Sequence, residues 1–446
     1  MTTCHDMQND VDTQVRPTKP ASFLACEAEK SVPSPAEPSV DFPVSVVLPA
    51  GGTGERTGLQ TPKQFCYLLG RPLISYAIQA FERLPWVQNI VVVVAKENME
   101  PMTDIVQRFQ HRKVRAVPGG STRHRSIYEG LCSLDWEPTE RPKVVIIHDA
   151  VRPFVEEELV RKIAVEADKH GAAGAIRPLV STVIATTPDS FLDHSLERAK
   201  YRASEMPQGF KYDAILQAYQ RCTEFDLEFG TECLHLALQY CGINARLIEG
   251  PPALWKVTYK RDLAAAESIV KDSLSRSACI ITDGSSQATT LAEELQKAVA
   301  TMEMWTQITL LVKKLDIILD LDGNLGRCPV QEWNFIQVSI NRSDLAAVRP
   351  ICAALEASDR ALLHPLVVVW VCLSTAVEPS VTVPEPEAFM DLASTAKLRN
   401  VFLYGIQLRL CTDSARWQRA LSKLAEMTST LIRDRSPVLV GQVLRA

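Results

Sequence analysis

The chain has 446 residues, 46% of them hydrophobic and 23% charged, with a formal net charge of −5 and a pI near 6.0. That is length for two or three domains with real cores, and no surplus of positive charge draws the chain as a whole to nucleic acid or anionic membrane. Its 12 cysteines are scattered with no Cys-x-x-Cys pair, which argues against a zinc site or disulfide scaffold and fits a reducing compartment.

Residues 1–42 read as a disordered leader, polar and interrupted by Pro33, Pro35 and Pro38. The leader lacks the apolar core of a signal peptide. Its acids Asp6, Asp10, Asp12, Glu27, Glu29 and Glu37 do not suit an organellar transit peptide, so the cytosol is the expected location. The best membrane candidate, residues 361–377, is short for a span and holds His364 and Pro365; its 366–373 core reads as a buried strand.

From Val44 the pattern becomes regular. A short apolar run breaks into a loop holding Gly51, Gly52 and Gly54, followed by Arg56 and Lys63. Glycines let a backbone approach a ligand closely, and successive amides in such a loop form a nest for anions. The loop is not a P-loop, because no Gly-Lys pair follows it. Nor is it a dinucleotide fingerprint, because Thr57 occupies the third glycine position. A helix is expected over 73–84, a buried strand over 89–95 and a second helix over 104–110. A second glycine turn follows at Gly119-Gly120-Ser121, before Arg123 and Ser126. The buried strand 144–147 ends in His148-Asp149-Ala150-Val151-Arg152-Pro153. Such alternation argues for a parallel α/β sheet, whose ligands sit beyond the carboxyl ends of the strands. All three polar motifs lie at such ends.

Further along, residues 181–210 suggest a projecting hairpin arm, and 254–259 a strand-like stretch around Lys256. A helix over 260–276 leads out of this domain. Alternation resumes with strands at 279–282, 308–312, 335–340, 366–373 and 401–410 and helices at 288–299, 345–355 and 414–433. The turn Asp283-Gly284-Ser285-Ser286 reads as a helix N-cap in preference to an anion site, and 382–386 as an exposed loop. No catalytic motif appears in this second half.

Four segments together resemble the 2-C-methylerythritol 4-phosphate cytidylyltransferase family and its ribitol-phosphate relatives. They are Ala50-Gly51-Gly52-Thr53-Gly54-Glu55-Arg56 with Pro62-Lys63-Gln64; Gly119-Gly120-Ser121-Thr122-Arg123 with Ser126; His148 to Pro153; and Trp255-Lys256-Val257-Thr258. The resemblance covers about half the chain, and the long C-terminal extension points to the ribitol-phosphate branch. It implies a Rossmann-like nucleotidyltransferase domain with a mainly parallel sheet over 43–275, carrying the β-arm, and a second α/β domain over 276–446. It also implies a homodimer with exchanged arms.

The activity implied is transfer of CMP from CTP to ribitol 5-phosphate, giving CDP-ribitol for protein glycosylation. Methylerythritol phosphate chemistry and a non-catalytic nucleotide-binding regulator are the alternatives. The nucleophile is a phosphate oxygen, so positioning and charge neutralisation suffice. Arg56 and Lys63 would hold the triphosphate. Asp149 would bind Mg²⁺, unless it only caps the helix expected near Phe154. Gly119, Gly120, Ser121 and Ser126 match the cytosine-reading turn, with Arg123 contacting the nucleotide. Lys256, Arg152 and, from the partner's arm, Arg198 would hold the acceptor. His148 reads as a packing residue. Met206, the stretch 232–236 and Ala253 depart from the bacterial enzymes, which favours a polyol phosphate other than methylerythritol phosphate.

Overall fold

Apolar runs too long for a half-exposed strand set the first domain. Val46, Val47 and Leu48, then Ile90 to Val94, then Val144 to Ile147 are all buried, as strands covered on both faces must be. The computed structural model describes residues 39–52, 61–135, 140–230, 232–310, 332–340, 345–358, 360–374 and 386–446. The leader up to residue 38, Gly54, Arg56 and residues 382–385 lie outside that set.

In chain order the first domain comprises β1 (Val44–Pro49), the small hairpin β2 (Tyr67–Leu68) and β3 (Arg71–Pro72), α1 (Leu73–Glu82), β4 (Val87–Val94), α2 (Met99–Arg108), β5 (Val114–Pro118), α3 (Arg123–Cys132), β6 (Val144–Ile147), α4 (Glu157–His170), β7 (Ala172–Pro178), β8 (Ile184–Thr186), β9 (Leu192–Ser195), β10 (Arg202–Lys211), α5 (Tyr212–Arg221), α6 (Glu224–Phe229), α7 (Cys233–Cys241), β11 (Arg246–Glu249) and α8 (Lys260–Leu274). Its seven-stranded sheet runs β11-β7-β10-β6-β1-β4-β5, and only β10 is antiparallel to its neighbours. Thr122 caps α3, its hydroxyl accepting from the Arg125 amide at 3.3 Å. Gly130 lets α3 lie directly on the sheet: a Cβ there would come within 2.6 Å of Val47 and 2.8 Å of Val93.

Three expectations are corrected. The arm is shorter than residues 181–210, because 202–211 is the strand β10, with Met206, Gln208 and Phe210 buried between β6 and β7; only β8 and β9 form a separate two-stranded hairpin. Helix α2 starts at Met99, ahead of Pro101, because a first-turn amide has no partner to lose. Residues 254–259 are extended but pair with no strand. They are fixed by burial of Leu254 and Val257, by the bond from the Val257 amide to the Val151 carbonyl at 3.0 Å, and by Asp262, which accepts from the Thr258 and Tyr259 amides at 2.8 Å each.

The second domain comprises β12 (Ser277–Thr282), α9 (Ser286–Ala300), β13 (Trp305–Leu310), β14 (Asn334–Ile340), α10 (Arg349–Glu356), α11 (Arg360–Leu363), β15 (Leu366–Ser374), α12 (Pro386–Leu398), β16 (Val401–Arg409), α13 (Ser414–Asp434) and β17 (Val443–Arg445). Its sheet runs β13-β12-β14-β15-β16-β17, all parallel. Pro386 opens α12 and does not belong to an extended loop; a fixed φ suits the first helical position. The turn before α9 is a cap as expected. Thr282, Asp283 and Ser285 take the amide donors of Gly284, Ser285 and Ala288. Arg435 is buried in the left-handed region, at φ 47°, and ties three elements together. It donates to the Pro365 carbonyl (2.6 Å), the Leu274 carbonyl (3.0 Å) and Asn334 Oδ1 (2.7 Å).

One core is shared by both domains. Leu68, Leu73, Tyr76, Val151, Phe154 and Val257 pack in the same cluster as Val270, Phe335, Ile351 and Trp370. At the seam the His364 ring lies 5.5 Å from Tyr76 and 5.0 Å, edge-on, from Trp333. Tyr76 donates to the Leu68 carbonyl at 2.8 Å, so the seam reaches the hairpin that follows Lys63.

Burial lowers the pKa of three histidines. His148 and His124 fall from 6.5 to about 4, the latter also repelled by Arg123, and His364 falls well below its ordinary value. Below the unfolded value only the unfolded chain takes up these protons, so their stabilisation is full above pH 6.5 and declines toward about pH 4. The melting temperature is expected to fall across that window, and His148→Gln to flatten the slope. A flat profile in the wild-type chain would contradict neutral buried histidines.

Candidate active site

The three polar strand ends converge on one cavity of about 490 Å³. Ala50, Gly51 and Gly52 after β1, Gly120 to Arg123 before and at the start of α3, and Asp149 to Val151 after β6 form its walls, with Lys63, Ser126 and Lys256. That size suits a nucleotide-like ligand. The first glycine loop is anchored over its described residues, Ala50 to Gly52. The Ala50 amide donates to the Val93 carbonyl at 2.7 Å, and Gln64 Nε2 donates to the Ala50 and Gly52 carbonyls at 2.7 and 2.9 Å. The second turn closes on Ser126: a Cβ at Gly119 would sit 2.7 Å from Ser126 Oγ, so only glycine fits. Ser126 Oγ donates to the Gly120 carbonyl at 3.3 Å.

Asp149 is the sole carboxylate among the described residues lining the cavity, and it is 5% exposed. Three cations surround it. Arg123 approaches Oδ1 at 3.2 Å; Arg152 Nε and Lys256 Nζ approach Oδ2 at 3.0 and 3.1 Å. Burial alone would raise its pKa, but Arg123, Lys256 and Arg152 outweigh that and hold it far below the usual carboxylate range. The helix after this loop begins at Glu157 with Glu156 at its cap, so Asp149 is not that cap.

Lys63 begins a single 3-10 turn, Lys63–Phe65, and is 8% exposed. Arg152 does not line the cavity. It lies beneath Asp149, also donating to Glu205 and to the Leu254 carbonyl. Arg198 is exposed on the arm, donating to the Val180 carbonyl at 2.6 Å, and does not line this cavity either. His148 packs as expected: Nε2 bonds the Arg152 carbonyl at 2.9 Å, and the ring sits edge-on to Phe81. Gly54 and Arg56 lie outside the described residues.

Two contributors escaped the sequence reading. Gln64 was visible beside Lys63, but nothing local indicates that its amide fastens the glycine loop. Glu205 meets Arg152 across 53 residues, a pairing no spacing rule reports.

No group of three His, Cys, Asp or Glu among the described residues builds a metal cage. One carboxylate at a triphosphate-sized cavity instead fits Mg²⁺ carried in by the nucleotide, since Mg²⁺ commonly takes one or two carboxylates plus substrate phosphates. Among the described residues no helix is long and apolar enough to cross a membrane.

The profile of 2-C-methyl-D-erythritol 4-phosphate cytidylyltransferase matches residues 44–272, and that of the D-ribitol-5-phosphate cytidylyltransferase C-terminal domain matches residues 276–425. The D-ribitol-5-phosphate cytidylyltransferase of Mus musculus is 47% identical over 412 residues, 90% of each chain. That of Xenopus tropicalis is 46% identical over 411 residues, 90% of this chain and 97% of its own. A 2-C-methyl-D-erythritol 4-phosphate cytidylyltransferase of Desulforamulus reducens is 30% identical over 230 residues, 51% of this chain and 96% of its own. The chain therefore belongs to the D-ribitol-5-phosphate cytidylyltransferase family, with a catalytic half built like that of the methylerythritol-phosphate enzymes.

Proposed function

We propose that this enzyme transfers CMP from CTP to D-ribitol 5-phosphate, releasing pyrophosphate and forming CDP-ribitol for protein glycosylation. The observation that carries the reading is the cationic cavity, lined by Lys63, Arg123 and Lys256, the last two paired with its one described carboxylate, Asp149, between two glycine turns. Similarity to D-ribitol-5-phosphate cytidylyltransferases along nine-tenths of the chain favours ribitol 5-phosphate over methylerythritol phosphate.

A phosphate oxygen of the acceptor attacks the α-phosphorus of CTP; the bond to the β-phosphate breaks, and its electrons leave with pyrophosphate. The glycine turns and Ser126 hold the cytidine, and Ala50, Gly51, Gly52 and Gly54 approach the phosphates with their amides. Arg56 and Lys63 neutralise charge gathering on the triphosphate. Arg123 and Lys256 exchange part of their contact with Asp149 for phosphate oxygens. Lys256 thereby meets the acceptor phosphate, and Arg152 holds Asp149 in place from below. Asp149 would supply a hard oxygen to Mg²⁺ arriving with the triphosphate, and the ion would, when bound, withdraw charge from the phosphate oxygens.

Pyrophosphate release from pure protein, CTP, Mg²⁺ and each polyol phosphate in turn tests the reaction. Release with ribitol 5-phosphate alone is expected. Release only with methylerythritol phosphate would transfer the assignment to that substrate, and none with any acceptor would leave a nucleotide-binding regulator.

Lys63→Ala and Asp149→Ala are each expected to lower turnover by on the order of a hundredfold, the usual effect of removing one preorganised charge. The melting temperature should stay near wild type for Lys63→Ala and fall for Asp149→Ala, which leaves Arg123, Arg152 and Lys256 without their shared carboxylate; activity per folded molecule that survives either change would show the roles to be structural. Calorimetric titration should detect no Mg²⁺ binding until CTP is present. A tight site for Mg²⁺ alone would mean a resident metal.

The arm supports a homodimer. Val180, Phe191 and Leu192 on and beside the β8–β9 hairpin are 80%, 72% and 66% exposed, and an isolated hairpin is marginal in water. If Arg198 serves the neighbouring subunit, inactive Arg198→Ala and Lys63→Ala chains mixed to full exchange should recover about a quarter of wild-type activity, since half the dimers then hold one intact site. No recovery despite verified exchange would remove the crossed arm.

A further inference from the structure

Behind Arg123 lies a line of buried polar side chains from three helices that the reaction scheme does not use. Arg123 Nη1 donates to Cys233 Sγ at 3.6 Å, on the face of the guanidinium turned away from Asp149. Cys233 Sγ lies 3.5 Å from the Tyr219 hydroxyl, and that hydroxyl lies 2.7 Å from His124 Nδ1. Cys233 is wholly buried, Tyr219 is 2% exposed and His124 is 1% exposed. Cys233 opens α7, Tyr219 closes the buried face of α5 and His124 follows Arg123 in α3, so the line joins three helices behind the cavity.

The first bond of the line has one possible direction, and the other two can follow it. A guanidinium only donates, so the sulfur must accept from Arg123. In the direction assigned here, the thiol gives its own hydrogen to the Tyr219 oxygen. Tyr219 has one hydrogen and gives it to His124 Nδ1, which accepts only in the tautomer carrying its proton on Nε2. Burial keeps His124 neutral to about pH 4 and pushes the Cys233 thiol up, so both stay in the form this direction needs.

We propose that Cys233, Tyr219 and His124 are positioning residues for the cytidylyl transfer: a one-way hydrogen-bond relay that aims the Arg123 guanidinium across Asp149 into the nucleotide cavity. The relay rests on the reading of Arg123 as a contact of CTP. It fixes one edge of the guanidinium in protein so that the other edge can pass between the Asp149 carboxylate and a phosphate without the side chain swinging free. Conformational freedom held back before the ligand arrives is affinity gained on binding.

The full-length protein is titrated calorimetrically with CTP and Mg²⁺, without acceptor, so the measurement does not depend on which polyol phosphate is used. Cys233→Ala and Tyr219→Phe should each weaken CTP binding about tenfold, the scale of one hydrogen bond to a charged group. Cys233→Ser, which can still accept and donate, should stay within about threefold of wild type. Paired with Arg123→Lys, the Cys233→Ala loss should largely disappear, because the group it aims is gone. Nitrogen-15 spectra should place the His124 proton on Nε2 in the wild type and show that preference weakened in Tyr219→Phe. Wild-type protein that does not bind CTP would overturn the functional reading itself. Wild-type binding together with unchanged binding in folded Cys233→Ala and Tyr219→Phe, or losses that simply add to that of Arg123→Lys, would overturn the relay alone.

Discussion

The site depends on one buried carboxylate. Withdrawing Asp149 from water costs several kcal/mol, and a single partner would not reliably offset that. Arg123, Arg152 and Lys256 do so together, from three separate parts of the chain. The same arrangement gathers an excess of positive charge at a cavity mouth with no anion but Asp149 among its described lining. Asp149 keeps the cations close without letting them repel one another apart. In the proposed reaction it is a placeholder for phosphate, whose oxygens take over part of those contacts.

Much of this was legible in the sequence. Continuous apolar runs marked β1, β4 and β6, because strands buried on both faces leave no room for alternation. Glycine turns and charged residues directly after those runs marked the cavity, since a parallel sheet presents its ligand at that edge. Lys63, the Gly119 turn and Asp149 stood out from local pattern, while Arg123, Ser126 and Lys256 took their roles from the family resemblance; all but Gly119 line the cavity, and Gly119 stands just behind it against Ser126.

What escaped was non-local or two-sided. Residues 202–205 look polar enough for an arm, yet 202–204 pair with β7 and 208–210 with both β7 and β6, neighbours that no window around them contains. Arg152 carries the same charge as Lys256, but only the fold decides that one lies under Asp149 while the other faces the cavity. Cys233 read as a departure from the acidic segment of the bacterial enzymes; its contact with Arg123 spans 110 residues. Arg435 lies just past the helix expected over 414–433 and drew no notice in the sequence, although it binds two carbonyls and an amide oxygen from distant parts of the chain.

The common core along Tyr76, Val151, Phe154 and Val257 has a consequence for how such a chain can change. The bacterial relative has 96% of its own length within the span it shares with this chain, so little of it is left over to form a second domain on that flank. Here the flank is completed by Phe335, Ile351 and Trp370 from the second domain. Cutting the gene at the domain border would bare a continuous apolar face beside the loops that carry Lys63, Asp149 and Lys256, and such faces aggregate. The fusion therefore works as a ratchet: once the extra domain had become the wall of the first, neither could be lost, shuffled or inherited without the other.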